Sequence, residues 1–414
     1  MRDPREPGGP PEIAVTGIGL VTPAGIGAAA SWEGVCRGRS AAARDPRLAD
    51  LPVDIACAVP GFSPAEHVGR RSALMHDRHV QLAIPAAREA VADAALDPAT
   101  WDGARVGVVI GNGSGGYSSA TRQHERLLAE GPRAVSALVI PLIVPNMVAG
   151  HLAMEFGATG PNLVTATACA SGATAIGTAM RLLQRGDCDV VLTGGTEAPV
   201  TPLLVAGFAQ MGALSRRVAD PAAASRPFDA ARDGFVIGEG SAVLVLERAA
   251  DARARGARTR ARLAGYGASA DAHHMTAPDP EGTQVSRTVR AALAEAGAEP
   301  ADVAHVNAHG TSTPLNDAVE ARVVRGLFGG DAAVTSAKGV VGHTLGAAGA
   351  IEAVLTVLAI ERGTVPPTAN HDRPDPDLGI DVVAGAPRRR AIEVAVSHSF
   401  GFGGQNAVLV FTGA

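Results

Sequence analysis

The chain has 414 residues, 46% of them apolar, which exceeds one ordinary core and predicts two domains or two fused half-domains that fold without staples. Its 41 acidic residues outnumber its 36 basic ones, so it lacks the clustered basic excess of a protein that releases counterions from a nucleic acid. The four cysteines Cys36, Cys57, Cys169 and Cys188 have no metal-ligand spacing, the opening MRDPREPGGPPE lacks the apolar stretch of a secretory signal, and the longest apolar run, Val135–Pro145, falls short of the ~20 residues of a membrane span. These features predict a cytoplasmic protein with no nucleic acid or membrane partner, in which Val135–Pro145 serves as core or pocket wall.

Short strands rich in Val and Ile alternate with Ala-rich helices, the pattern of layered α/β architecture. Strands are predicted at Ile13–Thr16, Val106–Ile110, Leu163–Thr167, Val190–Thr193 and Ala242–Leu246, and again at Ala261–Leu263, Val303–Asn307, Ala333–Ser336, Glu393–Ser397 and Ala407–Phe411. Helices are predicted over Val80–Leu96, Ala170–Arg185, Val285–Ala296, Asp317–Leu327 and Gly346–Arg362. The Arg-rich stretch Arg253–Arg262 reads as solvated surface, and the two strand–helix series divide near it, giving domains 1–258 and 259–414 as two similar halves. Val285–Ala296 is an ordinary amphipathic layer helix stopped by Gly297. Gly172 and Gly177 inside Ala170–Arg185 each cost ~1 kcal/mol relative to Ala, which predicts close backbone packing around a buried central helix.

Cys169 lies in NLVTATACASGATAIG, a β-rich run passing directly into that helix. Its thiol is therefore expected at a helix N-terminus, where the dipole and free amides favour thiolate and can hold an oxyanion. His309 follows a predicted strand in VNAHGTSTPLND, where α/β proteins expose catalytic groups. Thr311 and Thr313 flank it with hydroxyls for polar parts of a substrate, and Asn307 and Asp317 are available to cap turns. Of the 36 basic residues every one is Arg except Lys338, so a compact ammonium is expected to matter there. Lys338 and His343 share SAKGVVGHTLGAAGAIEA, ahead of an apolar helix carrying Glu352. A carboxylate among Ala353, Val354, Leu355, Val357 and Leu358 needs a partner, and Lys338 is the one expected. In SHSFGFGGQNAVLVF, Phe400 and Phe402 alternate with glycines that permit tight turns beside a ligand. The stretch IGNGSGG also matches G-x-G-x-x-G at Gly111, Gly113 and Gly116, but a dinucleotide site would leave Cys169 and both histidines unexplained.

Jointly, ATACASG, NAHGTSTPLND, SAKGVVGHTLGAAGA and SFGFGG, with GGTEAP around Glu197 and ASRPFDAARDGFVIGEG around Asp233 and Glu239, resemble the β-ketoacyl-acyl carrier protein synthase family of the thiolase superfamily over essentially the whole chain. The resemblance implies an α/β fold: a thiolase-like five-layer αβαβα sandwich built from two similar halves, which dimerises and uses no cofactor and no metal. It implies that Cys169 takes an acyl group from acyl carrier protein, with its own N–H and that of Phe400 as the oxyanion hole. His309 and His343 then hydrogen-bond the malonyl thioester carbonyl and stabilise the enolate left by decarboxylation. Lys338 with Glu352 supports this site, and Phe400 is the implied gating aromatic. A thiolase would carry a second cysteine in the C-terminal glycine loop, which here has none, so the decarboxylating branch is implied.

Two departures bear on substrate. Ser114 stands where longer-chain elongating synthases carry a bulky aliphatic residue lining the acyl pocket, implying a wider or longer tunnel, and Gln405 replaces a Thr common in housekeeping fatty acid enzymes. With the Arg-dominated composition these favour a discrete polyketide ketosynthase making reduced or polyene chains, paired with a chain-length factor homologue as a heterodimer, or with itself as a homodimer. Fatty acid elongation by a homodimer is the alternative, and a non-catalytic scaffold subunit of a synthase complex is the reading from another class.

Overall fold

The structure is a computed structural model and describes residues 10–414, so most of the N-terminal stretch read for targeting lies outside the described residues. Ten principal strands carry the fold. The first five are β1 Ile13–Thr22, β2 Val106–Gly111, β3 Asn162–Thr165, β4 Val190–Glu197 and β5 Gly240–Arg248. The second five are β6 Ala261–Ala270, β7 Val303–Asn307, β8 Ala333–Thr335, β9 Val394–Gly401 and β10 Gln405–Thr412.

The spatial order is β3-β2-β4-β5-β1 in the first half and β8-β7-β9-β10-β6 in the second. Counted within each half, both read 3-2-4-5-1. Polarity repeats as well: the 2-3 and 2-4 pairs are parallel and the 4-5 and 5-1 pairs antiparallel in both halves. The two sheets join where Ile13–Val15 of β1 pairs with Ala261–Leu263 of β6. Parallel strands need covered faces, which explains why both sheets read as continuous apolar runs.

Six helices supply the other layers: α1 Arg78–Asp93, α2 Met147–Phe156, α3 Ser171–Arg185, α4 Thr283–Ala296, α5 Pro314–Phe328 and α6 Ala348–Arg362. Helices α3 and α6 pack on each other between the sheets, α1 and α2 cover the outer face of the first sheet, and α4 and α5 cover that of the second. The result is the five-layer αβαβα sandwich. Helix α6 is buried without a break from Ala348 to Ala359, as a helix enclosed on all sides must be. The glycines of α3 are there for contact: a Cβ on Gly172 would lie 2.7 Å from the Ala350 backbone nitrogen, and one on Gly177 2.4 Å from the Tyr266 ring.

Two expectations are corrected. Apart from the buried Leu142, Val135–Pro145 is not core, for it forms a turn and the short helix Val139–Ile143, with Ile140 60% and Leu138 38% exposed. The Arg253–Arg262 stretch lies largely at the surface, as expected, although Arg255 is bound to Glu247 and Arg260 reaches both Asp93 and Glu361. Helix α5 begins at Pro314 rather than Asp317, because proline suits the first helical position after the extended Thr313. No helix among the described residues is long and apolar enough to cross a membrane.

Candidate active site

Cys169 sits in a single 3-10 turn between β3 and α3. Ala168 before it adopts φ 49°, a left-handed conformation that a side chain disfavours, and the surroundings hold it there. The Ser171 hydroxyl donates to the Ala168 carbonyl at 2.6 Å and accepts from the Thr167 amide at 3.0 Å, locking the elbow. Gly401 approaches so closely that a Cβ on it would stand 2.7 Å from the Thr167 carbonyl and 3.0 Å from the Cys169 nitrogen. Cys169 is 8% exposed and lines a cavity of about 400 Å³ that His309 and His343 also line.

The electrostatics of that thiol differ from the helix-terminus expectation. Burial pushes Cys169 up to about 12, with Lys338 acting against the rise and Glu197 adding to it. Desolvation outweighs the dipole because the sulfur has left water, so the resting group is a thiol that must lose its proton as it reacts. The amide facing the sulfur also differs from the one expected. The Phe402 backbone N–H points at Sγ and favours its ionised form. Phe400, by contrast, lies within β9, opposite Asn406 of β10. Phe402 sits in the turn beyond Gly401, with its amide toward the sulfur. Phe400 stands edge-on to His309, with ring centroids 5.6 Å apart.

His309 leaves the end of β7 with its own amide and that of Gly310 held by the buried Glu320 at 2.8 and 2.7 Å. Lys338 Nζ donates to the His309 carbonyl at 2.6 Å, lies 3.4 Å from His309 Nδ1, and is paired with Glu352 Oε1. An ammonium has no lone pair, so Nδ1 is the acceptor and the proton of the neutral ring falls on Nε2. His343 is fixed through its backbone, donating to the Val236 carbonyl at 2.7 Å and accepting from the Gly238 amide at 2.9 Å, which gives the ASRPFDAARDGFVIGEG segment its job. The two rings are 5.4 Å apart. Burial, reinforced by the charge of Lys338, holds both imidazoles well below the usual histidine range, so both are neutral single donors at pH 7.

The remaining expected residues separate into two sets. Thr311, Thr313 and Phe402 line the same cavity, the two hydroxyls 2.8 Å apart. Glu352 is 2% exposed and its carboxyl is raised to about 7, by burial first and against the pull of Lys338. Asp317 is fully buried, accepts from the Phe228 amide at 2.8 Å and the Ser312 amide at 3.2 Å, and is likewise raised to about 7 by burial. Ser114 does not line this cavity: its hydroxyl and amide both bind Glu197. The amides of Gly113 and Gly346 bind the same carboxylate at 2.7 and 3.1 Å, so the glycine loop that mimics a phosphate cradle already holds an internal anion.

Sequence reasoning assigned no role in the site to Glu197, Glu320 or His398, the last 3.1 Å from Glu320 through Nδ1. For Glu320 the available signal was an acid between the apolar residues Val319 and Ala321 on the buried side of α5.

Residues 11–252 match the family Beta-ketoacyl synthase, N-terminal domain, and residues 260–372 match Beta-ketoacyl synthase, C-terminal domain. The 3-oxoacyl-[acyl-carrier-protein] synthase 2 of Staphylococcus aureus is 43% identical over 404 residues, covering 96% of this chain and 97% of that protein. Among solved structures, a β-ketoacyl synthase from Burkholderia phymatum superposes with TM-score 0.91 at 34% identity, over 98% of this chain and all of that one. The ishigamide ketosynthase/chain length factor gives 0.89 at 34%, with the same coverage.

Proposed function

The chain belongs to the beta-ketoacyl synthase family, and on that premise we propose that it elongates an acyl chain by decarboxylative condensation with malonyl-acyl carrier protein, Cys169 carrying the growing chain. The observation that carries the reading is one cavity shared by a thiol and two neutral imidazoles, sealed behind a buried lysine–glutamate pair. In the first half-reaction the Cys169 sulfur bonds to the acyl carbon, and the carrier thiol leaves with the proton the sulfur gives up. The Phe402 and Cys169 amides receive the oxyanion. In the second, the malonyl group loses CO2 and the electron pair moves into an enolate. Neutral N–H donors from His309 Nε2 and from His343 suit the oxygen where that charge appears, and an imidazole already protonated would not survive this burial. The enolate carbon bonds to the acyl carbon, the bond to Cys169 breaks, and the sulfur regains a proton.

The seam between a nucleophile half, 1–258, and a histidine half, 259–414, belongs to the same proposal, because the site then takes its sulfur from one half and its imidazoles from the other. For the product we favour a polyketide made with a chain-length factor homologue, in line with the ishigamide complex among the structural neighbours. Fatty acid elongation as a homodimer is the second reading, favoured by 43% identity to the synthase 2 proteins. Incubation with acyl- and malonyl-loaded carrier protein, alone and with a supplied partner subunit, tests both. Product without the partner supports the homodimer, product only with it supports the heterodimer, and no product in either arm rejects the enzyme.

A further inference from the structure

Alternate residues of β9, Val394, Val396 and Phe400, face the outer helices and pack in the apolar cluster with Ala321, Val324 and Phe328 of α5. His398 occupies the remaining position of that row and is wholly buried between Phe328 and Phe400, with ring centroids 6.5 and 5.5 Å away. A polar side chain in an apolar row needs a reason. Its Nδ1 lies 3.1 Å from Glu320 Oε1, and among the described residues it is the only basic side chain in ion-pair contact with Glu320. The neighbouring buried acids have cations of their own, Arg232 for Asp317 and Lys338 for Glu352.

We infer that His398 is a positioning residue for the condensation step, acting through Glu320 on the His309–Gly310 backbone. Both oxygens of Glu320 must act as acceptors to hold those two amides. Without the His398 contact the carboxyl group loses the donor that fixes its plane, so its two oxygens no longer meet both amides at once. Gly310 at φ 37° and Ser312 at φ 67° mark a backbone that leaves strand geometry just there, so a freed amide lets the imidazole swing. Cys169 lies on a different elbow and is untouched by this link, so the two half-reactions should separate.

This rests on the proposed condensation, and its test is arranged to fail separately. His398→Phe keeps the ring between Phe328 and Phe400 but removes the donor, while His398→Asn restores a donor near the position of Nδ1. Acylation of Cys169 is followed by intact mass, and condensation by product on carrier. The expected result for His398→Phe is acylation within about twofold of wild type and condensation at least tenfold slower, with His398→Asn recovering to within about threefold. Condensation within twofold in His398→Phe, or a parallel fall of both steps, overturns the inference. If His398→Phe does not fold, Glu320→Gln reads the same link and should show the same split; parallel loss there also overturns it. NMR of the His309 ring, assigned with a His309→Gln difference spectrum, stands even if wild type makes no product. The His309 signals should move in His398→Phe and return in His398→Asn, and unmoved signals refute the link.

Discussion

Replacing Glu352 by Ala removes the partner of a lysine that is 1% exposed, and the size of the loss can be worked from the site. Breaking a buried pair by deleting one member costs ~3–5 kcal/mol, because the other charge stays behind uncompensated. Lys338 keeps one acceptor, the His309 carbonyl at 2.6 Å, which does not neutralise it. Because the Glu352 carboxyl is raised to about 7, the wild-type pair is charged at pH 8, where the ~3–5 kcal/mol applies, whereas at pH 6 much of the carboxyl is already protonated and its removal takes away less. Urea unfolding followed by fluorescence at both pH values should therefore show a larger loss at pH 8, with Glu352→Gln losing less than Glu352→Ala at each. A loss under ~1 kcal/mol at both pH values would refute the reasoning, because it would mean that neither charge depends on the other.

Alkylation of Cys169 by iodoacetamide should still be accelerating at pH 9, since burial places its thiol near 12; a rate that levels off below pH 8 would show a resting thiolate. His343→Ala should acylate Cys169 normally yet condense at least 100-fold more slowly, and equal loss of both steps would remove His343 from the enolate site. Gly401→Ala should abolish acylation, because its Cβ would intrude to 2.7 Å from the Thr167 carbonyl; wild-type acylation in a folded variant would show that the elbow yields. Asp317 carries a carboxyl raised from 3.8 to about 7, so the folded state binds its proton more tightly and that contribution to stability is present at pH 4 and lost as pH climbs through 7. Asp317→Asn should flatten the pH–stability curve across that window, and an unchanged slope would mean that Asp317 titrates like an exposed acid.

Much of the site was legible because its chemistry is written in short local segments. Cys169, His309, Lys338 and His343 each stand at the end of a strand or in a glycine-rich turn, and the Gly172 and Gly177 contacts follow from where glycine sits in a helix that should not want it. The partnership of Lys338 and Glu352 could be reasoned from the cost of an acid in an apolar helix. The failures share a cause, which is that they depend on contacts distant in sequence. Glu320 finds His398 78 positions away, and Glu197 gathers amides up to 149 positions away. Nothing in either neighbourhood announces this. The helix-terminus rule for Cys169 ignored burial, which only the packed layers reveal. The Phe402 amide beside Cys169 was not foreseen because β9, expected to end at Ser397, runs four residues further to Gly401 and carries the turn past it.

The proposed condensation depends on Cys169 as the carrier of the acyl chain. Wild-type protein loaded from acyl-carrier protein, digested and mapped by mass spectrometry, should carry one acyl group on Cys169, and that group should disappear when malonyl-carrier protein is added, with one CO2 released per adduct lost. An adduct on another residue, or one on Cys169 that persists through the malonyl chase, would contradict it.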